Sequence, residues 1–108
     1  MDIEWRDVKD FDHYQVSNTG FVRSKDRRVK RSIDKKSHFL EGIIMGAWPN
    51  QCGFLMLRLS KNGKRYTRTV HRLVAEAFIT NNKKLARVYH ENRDRYDNRA
   101  CNLKWGKR

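Results

Sequence analysis

Cysteine is scarce in this chain. Cys52 and Cys101 are the only two and form no CxxC pair, which disfavours both a zinc ribbon and a disulfide scaffold; they read as buried or idle thiols. No apolar run approaches the ~20 residues that a membrane-spanning helix needs. Residues 1–5 are acidic and lack an apolar stretch, so they do not read as a signal peptide. No solenoid-period repeat or low-complexity tract is present. Acids are the other shortage: 12 Asp and Glu stand against 25 Lys and Arg, a net charge of +13 on 108 residues. Such a surplus points to a polyanionic partner, nucleic acid before any other. No membrane partner is expected.

What is present allows folding. Hydrophobic residues make up 38% and aromatics 11%, too many for a disordered basic tail. The length suits one domain, or one compact unit of two small modules. Charge is segregated. Residues 1–14 hold five acids and two bases, whereas 20–36, 58–72 and 83–108 are each net +6. These stretches are expected to follow a phosphate backbone. Their candidate contacts are Arg23, Arg27, Arg28, Lys30 and Arg31, then Arg58, Lys64, Arg65 and Arg68, then Arg93, Arg95 and Arg99.

Local patterns predict hairpins and one helix. Residues 14–16 and 21–23 flank Ser17, Asn18, Thr19 and Gly20, a turn sequence. Residues 27–38 are basic and weakly periodic, hence a loop. Residues 53–60 alternate, with Phe54, Met56 and Arg58 on one face and Leu55, Leu57 and Leu59 on the other. Asn62 and Gly63 then lead into 64–70, the clearest hairpin in the chain. Val70, Leu73, Val74, Ala77 and Phe78 recur at helical spacing, predicting a helix over 71–78. A strand over 87–90, a polar loop over 91–99 and a short strand over 102–105 complete the chain. The fold class is therefore α+β: a small, hairpin-rich domain with one firm helix. Trp5 and Trp105 read as core pillars, and Trp48, beside Pro49, as the exposed tryptophan. His13 and His38 carry no signal.

His90 ends a strand, with Asn98 and Asn102 beyond the polar loop. A strand–loop–strand unit of this size can return an asparagine to the histidine strand. Histidine is the side chain best suited to take a proton from water near neutral pH. His71, opening the helix, either packs or meets phosphate.

Three segments resemble one family. Residues 14–24 match the pattern YxVSNxGxVRS, 70–78 match VHRLVAxAF, and 88–105 are similar to VNHxDGNxxNNxxxNLEW. All three occur, in order, in phage HNH homing endonucleases. The resemblance implies a nuclease-associated module over 1–50 and an HNH-like module over 51–108, packed as one unit. It implies DNA cutting or nicking in the host cytoplasm with Mg2+ or another divalent cation. It makes His90 the general base, Asn102 the residue that ties the loop to the histidine strand and orients the base, and Asn98 a loop residue. Two departures bear on the metal. The residue before the histidine, usually an acidic or amide ligand, is Tyr89, and a neutral phenol is a poor ligand for a hard cation. The sequence also ends at Arg108, short of the helix that carries the last ligand in the family, so the ββα-metal motif is expected to be incomplete. The metal ligands are therefore unassigned, and a divalent cation and no cofactor at all both stay open: Glu91, Asp94 and Asp97 could serve only if the loop folds differently. Where the family's loop has Asp-Gly, this chain has Asn92 and Arg93. Two readings stay open: an active endonuclease or nickase, and a degenerate member that acts by binding DNA or a protein partner. A homodimer that shares ligands is a third.

Overall fold

The computed structural model describes residues 3–25, 27–30, 37–40, 44–81 and 84–106, with 27–30 and 37–40 described in backbone only. The N-terminal sheet has the order β1 (Trp5–Val8), β2 (Phe11–Ser17), β3 (Val22–Ser24), all antiparallel. The expected turn joins β2 to β3, with Gly20 at φ +98°. Strand β1 escaped the sequence pattern because its register shifts between Asp7 and Val8. A bulge there breaks the two-residue alternation that marks a strand.

The expected loop over 27–38 is in fact a two-stranded ribbon, β4 (Arg27–Lys30) paired with β5 (Ser37–Leu40). A ribbon of this kind is held by backbone ladder bonds, so a strongly charged sequence can form it without apolar alternation. Strands β6 (Trp48–Pro49), β7 (Leu55–Lys61) and β8 (Lys64–Thr69) make a second antiparallel sheet. Asn62 at φ 53° and Gly63 at φ 78° supply the two left-handed residues of a tight hairpin turn. On β7, Leu57 and Leu59 are buried and Arg58 and Ser60 exposed, as the alternation predicts.

Helix α1 runs Val70–Phe78, one residue earlier than expected. Strand β9 (Arg87–His90), a 3₁₀ turn (Ala100–Asn102) and β10 (Leu103–Gly106) follow, with His90 opposite Leu103. One core draws on both three-stranded sheets, the helix and β10. Val8, Phe11, Val16 and Val22 of the first sheet meet Leu57 and Leu59 of β7, Val70, Leu73 and Val74 of the helix, and Leu103 of β10. The architecture is α+β. Trp105 is buried, its indole N–H donating to the Ile79 carbonyl at 3.0 Å. Trp48 is 41% exposed. Both cysteines are exposed and free, so of the two readings, buried or idle, burial does not hold: Cys52 lies in the turn before β7 and Cys101 in the 3₁₀ turn.

Candidate functional site

The polar loop after His90 is ordered by its own side chains. Asn92 Oδ1 accepts from the Asp94 N–H at 2.8 Å, Asp94 Oδ1 from the Tyr96 N–H at 3.0 Å, and Asp97 Oδ1 from the Arg99 N–H at 3.4 Å. Each is an Asx-turn, a local bond that these short side chains form two residues ahead. Arg93 takes φ 65°, a left-handed conformation that glycine adopts without strain. That accounts for the glycine in the family pattern and shows that a cation has been accepted there despite the strain.

The Asn102 side chain ties Asn92 to Asp97 across this loop. It is 6% exposed, its Nδ2 donates to Asn92 Oδ1 at 3.0 Å and to the Asp97 carbonyl at 2.9 Å, and its Oδ1 accepts from the Asn92 N–H at 3.1 Å. The residue in contact with the histidine ring is instead Asn98, whose Oδ1 lies 2.8 Å from His90 Nε2. With an amide oxygen facing it, Nε2 is the donor, and Nδ1 keeps the basic lone pair. Asn98 is 3% exposed, and its Nδ2 has no partner among the described residues.

The N-terminal turn holds Asn98 in place. The Ala100 N–H donates to the Asn18 carbonyl at 2.8 Å. A Cβ built on Gly20 would lie 3.1 Å from the carbonyl carbon and oxygen of Asn98. The turn that the first motif encodes is thus a seat for the loop that carries the third. Gly20→Ala is expected to destabilise the fold by about 1–3 kcal/mol, through the positive φ and the close approach together. Urea denaturation measures that loss, and the His90 imidazole resonances should shift as Asn98 moves. An unchanged midpoint with unchanged resonances would contradict the seat.

His90 does not stand alone. Its ring lies 5.2 Å from His71 and 5.8 Å from Phe54, and Phe54 lies 4.7 Å from His71. The three line a cavity of about 460 Å³, whose charged wall is Arg72, Arg87, Arg93 and Arg95. No carboxylate of the described residues lines it. Arg95 stacks over Phe54 at 4.8 Å and donates to the Cys52 carbonyl. Arg72 donates to the Ala86 carbonyl at 2.6 Å and lies 3.7 Å from Glu76. Phe54 was not among the residues expected to form the site, and His71 was read only as packing or meeting phosphate. His71 lies in a matched motif; Phe54 carries no sequence signal of its own.

Burial first, then the His90 and Arg72 charges, lowers the His71 pKa to about 4. Its Nδ1 is buried without a partner among the described residues. His71 is therefore neutral at pH 7. Because its folded pKa lies below the unfolded value of about 6.5, the unfolded chain binds more protons in between. Stability is expected to fall as pH drops from about 6.5 towards 4, by on the order of 2 kcal/mol, allowing for the ring's partial exposure. Urea midpoints of wild type and His71→Phe across that range isolate the effect; parallel curves would refute it.

The donors present do not fit a hard divalent cation. Such an ion needs several oxygen ligands, and the described residues contain no cluster of three or more His, Cys, Asp or Glu able to hold one. Asp97 is taken by Arg99 at 2.7 Å and Asn92 at 2.9 Å, and Arg99 holds its carboxyl down to about 2. Asp94 caps the Tyr96 N–H. Tyr89, 42% exposed, lies under the Arg87 guanidinium at 5.8 Å.

The other candidate cations divide. Arg58, Lys64, Arg65 and Arg68 are exposed on the β7–β8 hairpin. Lys61 and Lys64 lie directly opposite each other, an arrangement of like charges that costs stability unless an anion relieves it. Arg23 is engaged elsewhere, bonded to Gln15 Oε1 at 3.1 and 2.8 Å and stacked on Trp5 at 4.0 Å. Arg99 is engaged by Asp97. Arg27, Arg28 and Lys30 lie on β4, and Arg31 lies outside the described residues.

Comparison with known proteins agrees with the motifs. The NUMOD4 motif matches residues 4–70. An uncharacterized HNH endonuclease, L245, of Acanthamoeba polyphaga mimivirus is 33% identical over 106 residues, covering 97% of this chain and 27% of that protein. The DNA endonuclease I-HmuI of Bacillus phage SP01 is 34% identical over 106 residues, covering 95% of this chain and 52% of its own length. A solved structure of DNA binding and cleavage by the HNH homing endonuclease I-HmuI matches with a TM-score of 0.73 at 33% identity, over 96% of this chain and 52% of that one. The chain thus spans about half the length of one relative and about a quarter of the other. With three motifs in register and this fold beneath them, the chain belongs to the NUMOD4-motif proteins of the HNH homing endonuclease family.

Proposed function

We propose that the chain binds duplex DNA along its phosphate backbone, with His90 facing the strand. The observation that carries this reading is His90, fixed through Nε2 by a buried asparagine and opening into a cleft walled by arginines, with no carboxylate among its described lining residues. Phosphate oxygens are the natural partners of such a wall. The exposed β7–β8 hairpin extends the basic surface beyond the cleft. The matched I-HmuI structure concerns DNA binding and cleavage, which supports DNA as the partner here.

A cleavage role for His90 is the second reading, and its bond to Asn98 favours it. With the proton held on Nε2, Nδ1 is the atom that would take a proton from attacking water. Hydrogen bonding from the far nitrogen is how a histidine base is commonly oriented. In that reading His90 would be the base and Asn98 its orienting partner. The described residues do not supply a ligand set for a cation.

The test is binding of fluorescent duplexes of unrelated sequence. Arg58→Gln with Arg65→Gln, both side chains on the outer face of the hairpin, is expected to weaken all of them alike, by about tenfold. Backbone contacts position a protein without reading bases. Failure of the wild type to bind duplex would end the proposal. Loss confined to one sequence would show instead that these arginines reach base edges.

A further inference from the structure

We propose that the His90 cleft is a phosphate seat that works without a divalent cation, its guanidinium groups standing where the family's metal would neutralise a backbone phosphodiester. This inference deepens the DNA-binding reading and rests on it. Four observations converge. The cavity is large enough for a phosphate group, about 460 Å³. Its charged wall is cationic throughout: Glu76 lies 3.7 Å from Arg72 and offsets that guanidinium in part, which leaves Arg87, Arg93 and Arg95 uncompensated. The Arg93 side chain has no partner among the described residues, although its backbone is held in the left-handed region by a turn bond from its N–H to the His90 carbonyl at 3.0 Å. His71 Nδ1 is buried and unpartnered beside His90.

Elementary electrostatics says what such a cleft prefers. Three like charges gathered around a half-enclosed volume repel one another, and they repel a divalent cation with them. An anion at the centre reverses both terms. A guanidinium also keeps its planar donor fork when some of its N–H groups are already used. Arg95 can therefore donate to the Cys52 carbonyl and still face the cleft. Phe54 and Tyr89, lying under Arg95 and Arg87, hold those guanidinium planes in position. His71, neutral near pH 7, can donate or accept at the anion's edge according to which ring nitrogen holds the proton. The residue types that the family pattern places here, a ligand before the histidine and a glycine after it, are here Tyr89 and Arg93. Both exchanges act in one direction, removing an oxygen donor for metal and adding a donor for phosphate.

The experiment uses the whole 108-residue chain in EDTA. Inorganic phosphate is titrated at constant ionic strength while the His71 and His90 imidazole resonances are followed by NMR. Saturable shifts of both rings are expected, with no gain in affinity when Mg2+ replaces EDTA. Arg93→Gln and, separately, Arg87→Gln should each weaken phosphate at least about fivefold, with thermal midpoints confirming that both variants fold. A short DNA duplex should then shift the same two rings. Shifts that require Mg2+, or none beyond a chloride control, would overturn the proposal. Duplex binding that persists, salt-dependent, while the two rings stay silent would remove the seat and leave the DNA-binding reading standing. Phosphate binding in the cleft without any duplex binding would do the reverse.

Discussion

Duplex affinity is expected to fall by about a thousandfold when salt rises from about 50 to about 200 mM, a slope near −5 in log K against log salt. Each phosphate neutralised by Lys or Arg releases close to one condensed counterion, and about six such contacts give that slope. The described surface can supply them: Arg58, Lys64, Arg65 and Arg68 stand exposed on the hairpin, and Arg87, Arg93 and Arg95 line the cleft. Arg23 and Arg99 are not counted, since Gln15 with Trp5 and Asp97 hold them. Fluorescence anisotropy across the salt range measures the slope. A value shallower than about −2 would mean that the basic surface serves a different partner.

The second large effect concerns cleavage. Residues 1–108 are expected to nick supercoiled plasmid no faster in Mg2+ or Mn2+ than in EDTA. The ground is the donor set that the described residues place around His90, which contains two imidazoles, four guanidiniums and the Tyr89 phenol and no carboxylate. When no cation meets the leaving oxygen, its developing charge goes without several kcal/mol of stabilisation, roughly three decades or more in rate. A general base alone recovers about 10²–10⁴-fold over water, which leaves phosphodiester hydrolysis far below the reach of a plasmid assay. Wild type is compared with His90→Ala in each metal. Robust Mg2+-dependent nicking that His90→Ala abolishes would refute the expectation and establish an active endonuclease. Equal silence in both proteins, with DNA binding kept, is the result expected.

Much of the local structure was legible beforehand for a plain reason. The β7–β8 hairpin advertises itself through alternation and through Asn62 and Gly63, residues that tolerate the two positive φ angles of a tight turn. The helix does so through apolar spacing. Such signals are local, carried within a dozen residues. Strand β1 was hidden by a bulge, and the β4–β5 ribbon by a charged sequence whose pairing rests on backbone bonds. The site residues divided along the same line. His90, Asn98 and Asn102 could be picked out from the loop between two short strands, and the Asx-turns that shape that loop are written in Asn92, Asp94 and Asp97.

Which asparagine touches the histidine could not be read that way. Asn98 and Asn102 are the same residue type at similar remove, and the choice depends on how the 92–98 chain coils, which the Asn18 carbonyl and the hydrogen-sized gap at Gly20 decide from about 80 residues away in sequence. Phe54 and His71 joined the site for a similar reason. They come from the approach to β7 and from the first turn of α1, brought beside His90 because the hairpin, the helix and β10 share one core. By itself the sequence determined the α+β class, the cationic character and the family, and it marked His90 as the candidate histidine, since all of these depend on composition or on short-range pattern. The tertiary structure alone decided that the cleft around that histidine is walled by arginines, with Asp94 and Asp97 turned to their own backbone and Asp97 also to Arg99. Long-range packing places those side chains, and neither propensity nor spacing encodes which of them meet.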